Sequence, residues 1–239
     1  MADRDTLSPL DIYALSEDLL GLSEAATSLY GSYLTLLSGI DFDSLIDIGC
    51  GGGDFLETLE REFGGRRYLG IDRSRLMVER ARESGVNARC MELSELEDRY
   101  DVATAVFDVV NYIPPSEIGD FMKDVARILE PGGYFIFDIN TRYGFEEIAT
   151  GSFSAEDERR FVSVDGDFED GLYTSRFTLF TASEEEERCY LKRSGTIEQY
   201  LHTLEGLSTD LFTTVSQIDI SLYGDEADKT LLIFSRNAA

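Results

Sequence analysis

Lysine is scarce in this chain: Lys123, Lys192 and Lys229 are the three among 239 residues. Acids outnumber bases 47 to 21, giving a net charge of −26. A nucleic-acid binder needs a basic face to neutralise phosphates, so this balance disfavours RNA or DNA as a partner. The same field favours cationic or amine substrates. An acidic surface in a GC-rich genome explains the composition more simply than a salty cytoplasm does. Proline is also rare, at four residues, and no low-complexity tract interrupts the chain, which argues against disorder. No run of 18 apolar residues exists, so no membrane span is expected. Met1–Asp5 is not a basic region leading into an apolar stretch, so no signal peptide is expected. Cys50, Cys90 and Cys189 are odd in number, widely spaced and lack a C-x-x-C pair. They indicate neither a disulfide framework nor a metal site, and reduced thiols fit a cytoplasmic protein.

What is present is a sizeable apolar fraction, 43%, in a regular rhythm. Residues 10–38 have a mostly helical pattern. Leu45–Ile48 reads as a strand, Phe55–Phe63 as a helix ended by Gly64-Gly65, and Arg67–Ile71 as a second strand. Ser74 is placed to N-cap a helix to Glu83, with Gly85 beyond its end. Val86–Leu93, Asp101–Phe107 and Tyr134–Ile139 read as three more strands, with a helix at Ser116–Leu129. Strands alternating with helices predict a parallel sheet covered on both faces. The rhythm changes after residue 150. Arg159–Val164, Tyr173–Ala182 and Arg188–Arg193 look like antiparallel strands. A helix is expected at Thr196–Leu207, and two final strands at Leu211–Leu222 and Thr230–Ser235. The expectation is an α/β protein with a doubly wound, mostly parallel seven-stranded sheet. Residues 1–150 and 196–239 would form its core, and 151–195 a β insert.

Chemistry concentrates at Asp47-Ile48-Gly49-Cys50-Gly51-Gly52-Gly53-Asp54, where a strand breaks into a glycine loop. Twenty-one residues after Gly51 a second strand ends in Gly70-Ile71-Asp72. A strand–loop–helix–strand unit with an acid at the second strand tip holds the ribose of a nucleotide-like cofactor. A dinucleotide fold wants glycine three residues after the second of its pair, where pyrophosphate meets the helix N-terminus. Here that position is Asp54, and a carboxylate there opposes the phosphate. The D-x-G-x-G-x-G spacing suits a phosphate-free ligand with a methionine-like tail.

These residues resemble the class I S-adenosylmethionine-dependent methyltransferases over about residues 40–140. Asp47–Gly53 resembles that family's first motif and Gly70-Ile71-Asp72 its second. Cys90-Met91-Glu92-Leu93 lies where the family places an acid and an apolar residue beside adenine. Tyr100–Val102 through Phe107–Tyr112 resembles the fourth-strand motif, and Ile128–Gly133 the turn before strand five. The resemblance implies donor contacts from Asp47, Gly49, Cys50, Gly51, Gly53, Asp72, Arg73, Glu92, Leu93 and Phe107. Within the class, Phe107–Tyr112, Phe137–Thr141 and the late insert look like small-molecule enzymes related to glycine and sugar-amine N-methylating ones, in which a β lid covers the acceptor. That group often carries E-x-H and then arginine. Here Glu187-Arg188-Cys189-Tyr190-Leu191-Lys192-Arg193 puts Tyr190 where the histidine would stand. Asn111, Tyr112, Tyr190 and Arg193 are therefore the candidate catalytic or acceptor contacts. His202 reads as an exposed or flanking residue within a helix, beside Leu201 and Leu204, and Glu184–Glu187 as a solvated turn. S-adenosylmethionine would be the donor and S-adenosylhomocysteine the product. The expected function is methyl transfer to a small-molecule amine, hydroxyl or carboxyl. A donor-binding protein without turnover, a tRNA or protein methyltransferase, and a nicotinamide-dependent oxidoreductase are the other readings.

Overall fold

The computed structural model describes residues 7–183 and 189–238. Its centre is a seven-stranded sheet. Strand β1 (Ser44–Ile48) lies between β2 (Arg67–Asp72) and β4 (Tyr100–Ala105), and β3 (Ala88–Cys90) lies outside β2. On the other side, β5 (Leu129–Asn140) pairs parallel with β4. Beyond β5, β11 (Lys229–Arg236) and then the edge strand β10 (Phe212–Ile220) join antiparallel, giving the order β10-β11-β5-β4-β1-β2-β3.

Alternation along each strand splits the apolar side chains between two layers. Leu45, Val102, Ile136, Leu231 and Ile233 pack under α2 (Ser23–Leu37), α3 (Asp54–Glu62) and α4 (Arg75–Glu83). Ile46, Ala103, Phe135, Phe137 and Phe234 face α5 (Ile118–Ile128) on the opposite side. Helix α5 buries Ile118, Met122, Val125, Ala126 and Ile128. Each large aliphatic side chain fully buried this way contributes roughly 1.5–3 kcal/mol. Ser74 caps α4 as its position predicts, accepting from the Met77 N–H.

The second sheet comprises β6 (Gly151–Glu156), β7 (Arg160–Glu169), β8 (Leu172–Ala182) and β9 (Tyr190–Tyr200). Its core of Val162, Phe177, Leu179 and Ile197 is closed by Ile12 from α1 (Pro9–Ala14). Residues 10–38 are not one helical stretch: α1 and α2 are separated by a 3₁₀ turn at Glu17–Leu19 and by Gly21, at φ +71°. The helix expected from Thr196 is also absent. Residues up to Tyr200 stay in β9 because every residue from Tyr190 to Tyr200 is paired with β8. Tertiary pairing there overrides local helical pattern, and α6 is confined to Leu204–Leu207. Strand β6 escaped the sequence reading because Gly-Ser-Phe-Ser-Ala-Glu is a short exposed edge whose alternation rests on Phe153 and Ala155 alone. Among the described residues, no helix is long and apolar enough to cross a membrane.

Candidate active site

The strand order reverses between β4 and β1, and open α/β sheets bind ligands outside the carboxyl ends of strands at such a point. A cavity of about 740 Å³ lies there. Its floor is the loop from β1 to α3. Gly49 has φ +71°, and a Cβ there would stand 2.7 Å from a Val109 methyl, so only glycine fits. Gly53, at φ +89°, caps α3 and is not part of the cavity wall. Asp54 opens α3 at the cavity edge, where a phosphate would meet a like charge.

Asp72 closes β2. Its carboxylate accepts the Gly51 N–H at 3.0 Å and the Ser74 N–H at 2.7 Å, which ties the glycine loop to α4. Burial pushes its carboxyl up, against the opposing pull of those N–H groups. Asp47 is 2% exposed and accepts the Thr104 hydroxyl at 2.7 Å. Burial raises its carboxyl to about 7; the Thr104 bond opposes this, and Asp72 and Asp138 add to it. Arg73 pairs with Glu92 at 2.7 Å on the rim, and Met91, Leu93, Val109, Ile113 and Phe121 make an apolar slot beside them. The buried Cys50 thiol is held protonated by desolvation.

The cavity thus gathers Asp47, Gly49, Cys50, Gly51, Asp72, Arg73, Glu92, Leu93, Phe107 and Tyr112. It does not gather the other three catalytic candidates. Asn111 is fully buried beneath it; its amide donates to the Tyr200 carbonyl at 2.8 Å and accepts the Asn140 N–H at 3.0 Å. Both its polar groups are therefore committed to joining β5 to the end of β9. Tyr190 is 66% exposed and pairs with Ala182 at the far end of β9. The strand reaches the cavity at Thr196–Glu198, about 20 Å further along at the rise of an extended chain. Arg193, opposite Leu179, also falls short of the cavity wall. Glu184–Arg188, including the acid of the E-x-H position, lie outside the described residues. His202 is not on a helix: it is buried in the turn after β9, with Nε2 3.0 Å from the Ile113 carbonyl. Among the described residues no cluster of ligating side chains could hold a metal.

Sequence reasoning missed the wall contributed by the start of the chain. Ser8, Pro9, Tyr13, Glu17 and Tyr30 line the cavity opposite the glycine loop. Residues 8–22 form a strap fastened on both sides. Ser74 Oγ donates to Asp11 at 2.8 Å, and Arg80 holds the Ala14 carbonyl at 2.8 Å and Glu17 at 3.3 Å. From the second sheet, Arg160 donates to the Leu15 carbonyl at 2.9 Å and grips Asp18 through two N–H groups at 2.9 and 2.6 Å. No local pattern announces these partners, because each lies far away in sequence. Burial raises the Tyr13, Tyr30 and Tyr112 phenols above their ordinary value, so all three are neutral at neutral pH. Seven carboxylates reach the cavity, from Glu17, Asp18, Asp47, Asp54, Asp72, Glu92 and Glu198. Two guanidiniums do, from Arg73 and Arg80, and each already pairs with one of those acids. The lining is therefore acidic on balance.

Residues 45–133 match the family model described as a methyltransferase domain. Over 150 residues the chain is 29% identical to a malonyl-[acyl-carrier protein] O-methyltransferase of Acetivibrio thermocellus, covering 57% of this chain and 50% of that protein. The chain spans about half the length of the curated relatives it matches. An S-adenosylmethionine-dependent methyltransferase from Clostridium acetobutylicum superposes with a TM-score of 0.75 at 20% identity, covering 96% of this chain and 99% of that one. A sugar N-methyltransferase from a Streptoalloteichus species superposes at 0.71 with 16% identity, covering 100% and 97%. At these identities the two likenesses show the fold.

Proposed function

We propose that this chain, whose residues 45–133 match a methyltransferase domain, is a class I S-adenosylmethionine-dependent methyltransferase that moves a methyl group from this donor to a small-molecule amine. The observation that carries the reading is the cavity itself. A glycine loop and a strand-end acid are joined by a hydrogen bond at the switch point, among carboxylates and, among the described residues, with both lining guanidiniums already paired to acids. Asp72 would take the ribose hydroxyls. The Gly49–Gly51 backbone and Asp47 would face the methionine end, and Met91, Glu92 and Leu93 the adenine, with Phe107 and Cys50 completing the wall. When bound, the donor supplies an electrophilic methyl group on a sulfonium.

The acceptor wall then reads as Tyr13, Glu17, Tyr30, Tyr112 and Glu198. Its acidic and phenolic character supports an amine over a carboxylate substrate, and the sugar N-methyltransferase of like fold is consistent with that. Neutral phenols position an acceptor by hydrogen bonds but are poor bases. The carboxylates of Glu17 and Glu198 are the groups on that wall able to take the proton an amine loses. In-line displacement gains most of its rate from alignment, which the wall provides.

Calorimetric titration with S-adenosylmethionine and S-adenosylhomocysteine tests the donor assignment. Micromolar binding of both is expected, with roughly a hundredfold loss in Asp72→Ala, since hydrogen bonds to a charged group carry about 1.5–3 kcal/mol each. Binding no tighter than millimolar, or indifference to Asp72→Ala, would sink the assignment. A panel of amines, alcohols and acids assayed for methyl transfer tests the acceptor class. Donor binding without turnover on any of them would favour a binding protein instead.

A further inference from the structure

The turn leaving β4 places two successive non-glycine residues, Phe107 at φ +66° and Asp108 at φ +71°, in the left-handed region. Side chains rarely adopt that conformation unless their surroundings impose it. Here the N–H groups of Phe107 and Asp108 both point at Asp138 on β5, at 2.7 and 3.1 Å. Two such N–H groups form a concave anion site, and the Asp138 carboxylate fills it. Asp138 is fully buried and also accepts the Tyr33 hydroxyl at 2.7 Å.

Lys229 on β11 completes the arrangement and is 2% exposed. Its ammonium is hydrogen-bonded to Asp108, lies 3.1 Å from Asn140 Oδ1, and lies 3.4 Å from Asp138 Oδ2. It also stands 4.8 Å from the centre of the Phe107 ring. An uncompensated buried lysine or aspartate is strongly disfavoured, so each charge here depends on the others. The same turn forms part of the cavity wall through Phe107 and Val109, and Val109 abuts Gly49 of the glycine loop.

We infer that Lys229 and Asp138 are the positioning pair of the donor site: they hold the Phe107–Asp108 turn left-handed and so fix Phe107 and Val109 against the donor and its loop. The inference rests on the donor reading above. Neither residue touches the cavity; both act through the turn.

Three proteins test it: wild type, Lys229→Met, and Lys229→Met with Asp108→Gly. Each is titrated calorimetrically with S-adenosylhomocysteine, checked for folding by thermal unfolding, and compared by hydrogen exchange over residues 106–112 without ligand. Lys229→Met is expected to bind roughly tenfold more weakly or worse and to exchange faster across that segment. Adding Asp108→Gly should recover most of the affinity. Glycine takes positive φ without strain, and of the two carboxylates that lose Lys229 only Asp138, still held by Tyr33 and the Phe107 and residue-108 N–H groups, remains. A purely structural role would lower the melting temperature while leaving affinity and local exchange of the folded protein unchanged, and that result overturns the inference. If Lys229→Met does not fold, Asp138→Asn serves instead. It removes the carboxylate that both N–H groups need, and unchanged exchange over 106–112 would be equally fatal. Failure of wild type to bind S-adenosylhomocysteine removes the donor reading and this inference with it. Wild-type binding with an indifferent Lys229→Met removes this inference alone.

Discussion

Replacing Asp47 by asparagine should make this protein more stable and its ligand binding less sensitive to pH. The Asp47 carboxyl is 2% exposed and titrates at about 7, against 3.8 for an ordinary aspartate. Between those values the folded chain holds a proton that the unfolded chain has released. Stability therefore falls as pH rises through that window, by about 1.4 kcal/mol per pH unit, and the full loss is present above about pH 7. Over the whole interval the loss is about 4 kcal/mol. Asparagine keeps an oxygen for the Thr104 hydroxyl and carries no charge to bury. Denaturant unfolding of both proteins between about pH 4 and pH 8 measures the difference. The curves should meet at the acid end and diverge until Asp47→Asn is ahead by about 4 kcal/mol near neutrality. In the proposed donor site the methionine ammonium faces this carboxylate, so donor affinity of the wild type should climb through pH 7, and Asp47→Asn should lose that climb. Parallel stability curves across the range would refute the reasoning, since they would mean the charge is not buried in the folded state.

Other expectations follow from the site's geometry. Gly49→Ala forces a Cβ to 2.7 Å from Val109 at a positive φ, and should lower unfolding free energy by about 1–3 kcal/mol while weakening S-adenosylhomocysteine binding. Asn111→Ala leaves the Tyr200 carbonyl and the Asn140 N–H without their partner, and should cost about 1–3 kcal/mol for each buried group in the same denaturant assay. Tyr190→Phe should change neither donor affinity nor turnover measurably, because the ring is exposed at the far end of β9; a fall in either would restore it as a site residue.

The parallel core was legible because its cues are local. Ser74 announces its helix, Asp101–Phe107 is apolar as a strand buried on both faces must be, and Asp47, Gly49 and Asp72 sit at fixed offsets from strand ends. Tyr13 and Glu17 were not legible, since what places their segment is a set of arginine bonds to distant residues rather than any pattern around them; Tyr30 comes to the wall from α2, packed on Phe55. Tyr190 and Arg193 illustrate the opposite error. Their spacing resembled a lid motif, yet the pairing register of β9 carries Thr196–Glu198 to the cavity instead. Asn111 was found at the right strand end with the wrong occupation, because sequence alone does not reveal that both sides of its amide are already engaged.

The strap has a consequence for how the site comes into being. Its bonds to α4 close loops of 63 and 66 residues, and those from Arg160 close loops of 142 and 145. Contacts of such separation form late, after the local and neighbouring-strand pairings are in place. On the ribosome this segment must therefore wait for β7 to be made before its second anchor exists. The glycine loop and Asp72 assemble within one short unit, whereas the wall built by the strap needs residues 8–22 and β7 together, so the two sides of the cavity are completed at different stages of synthesis.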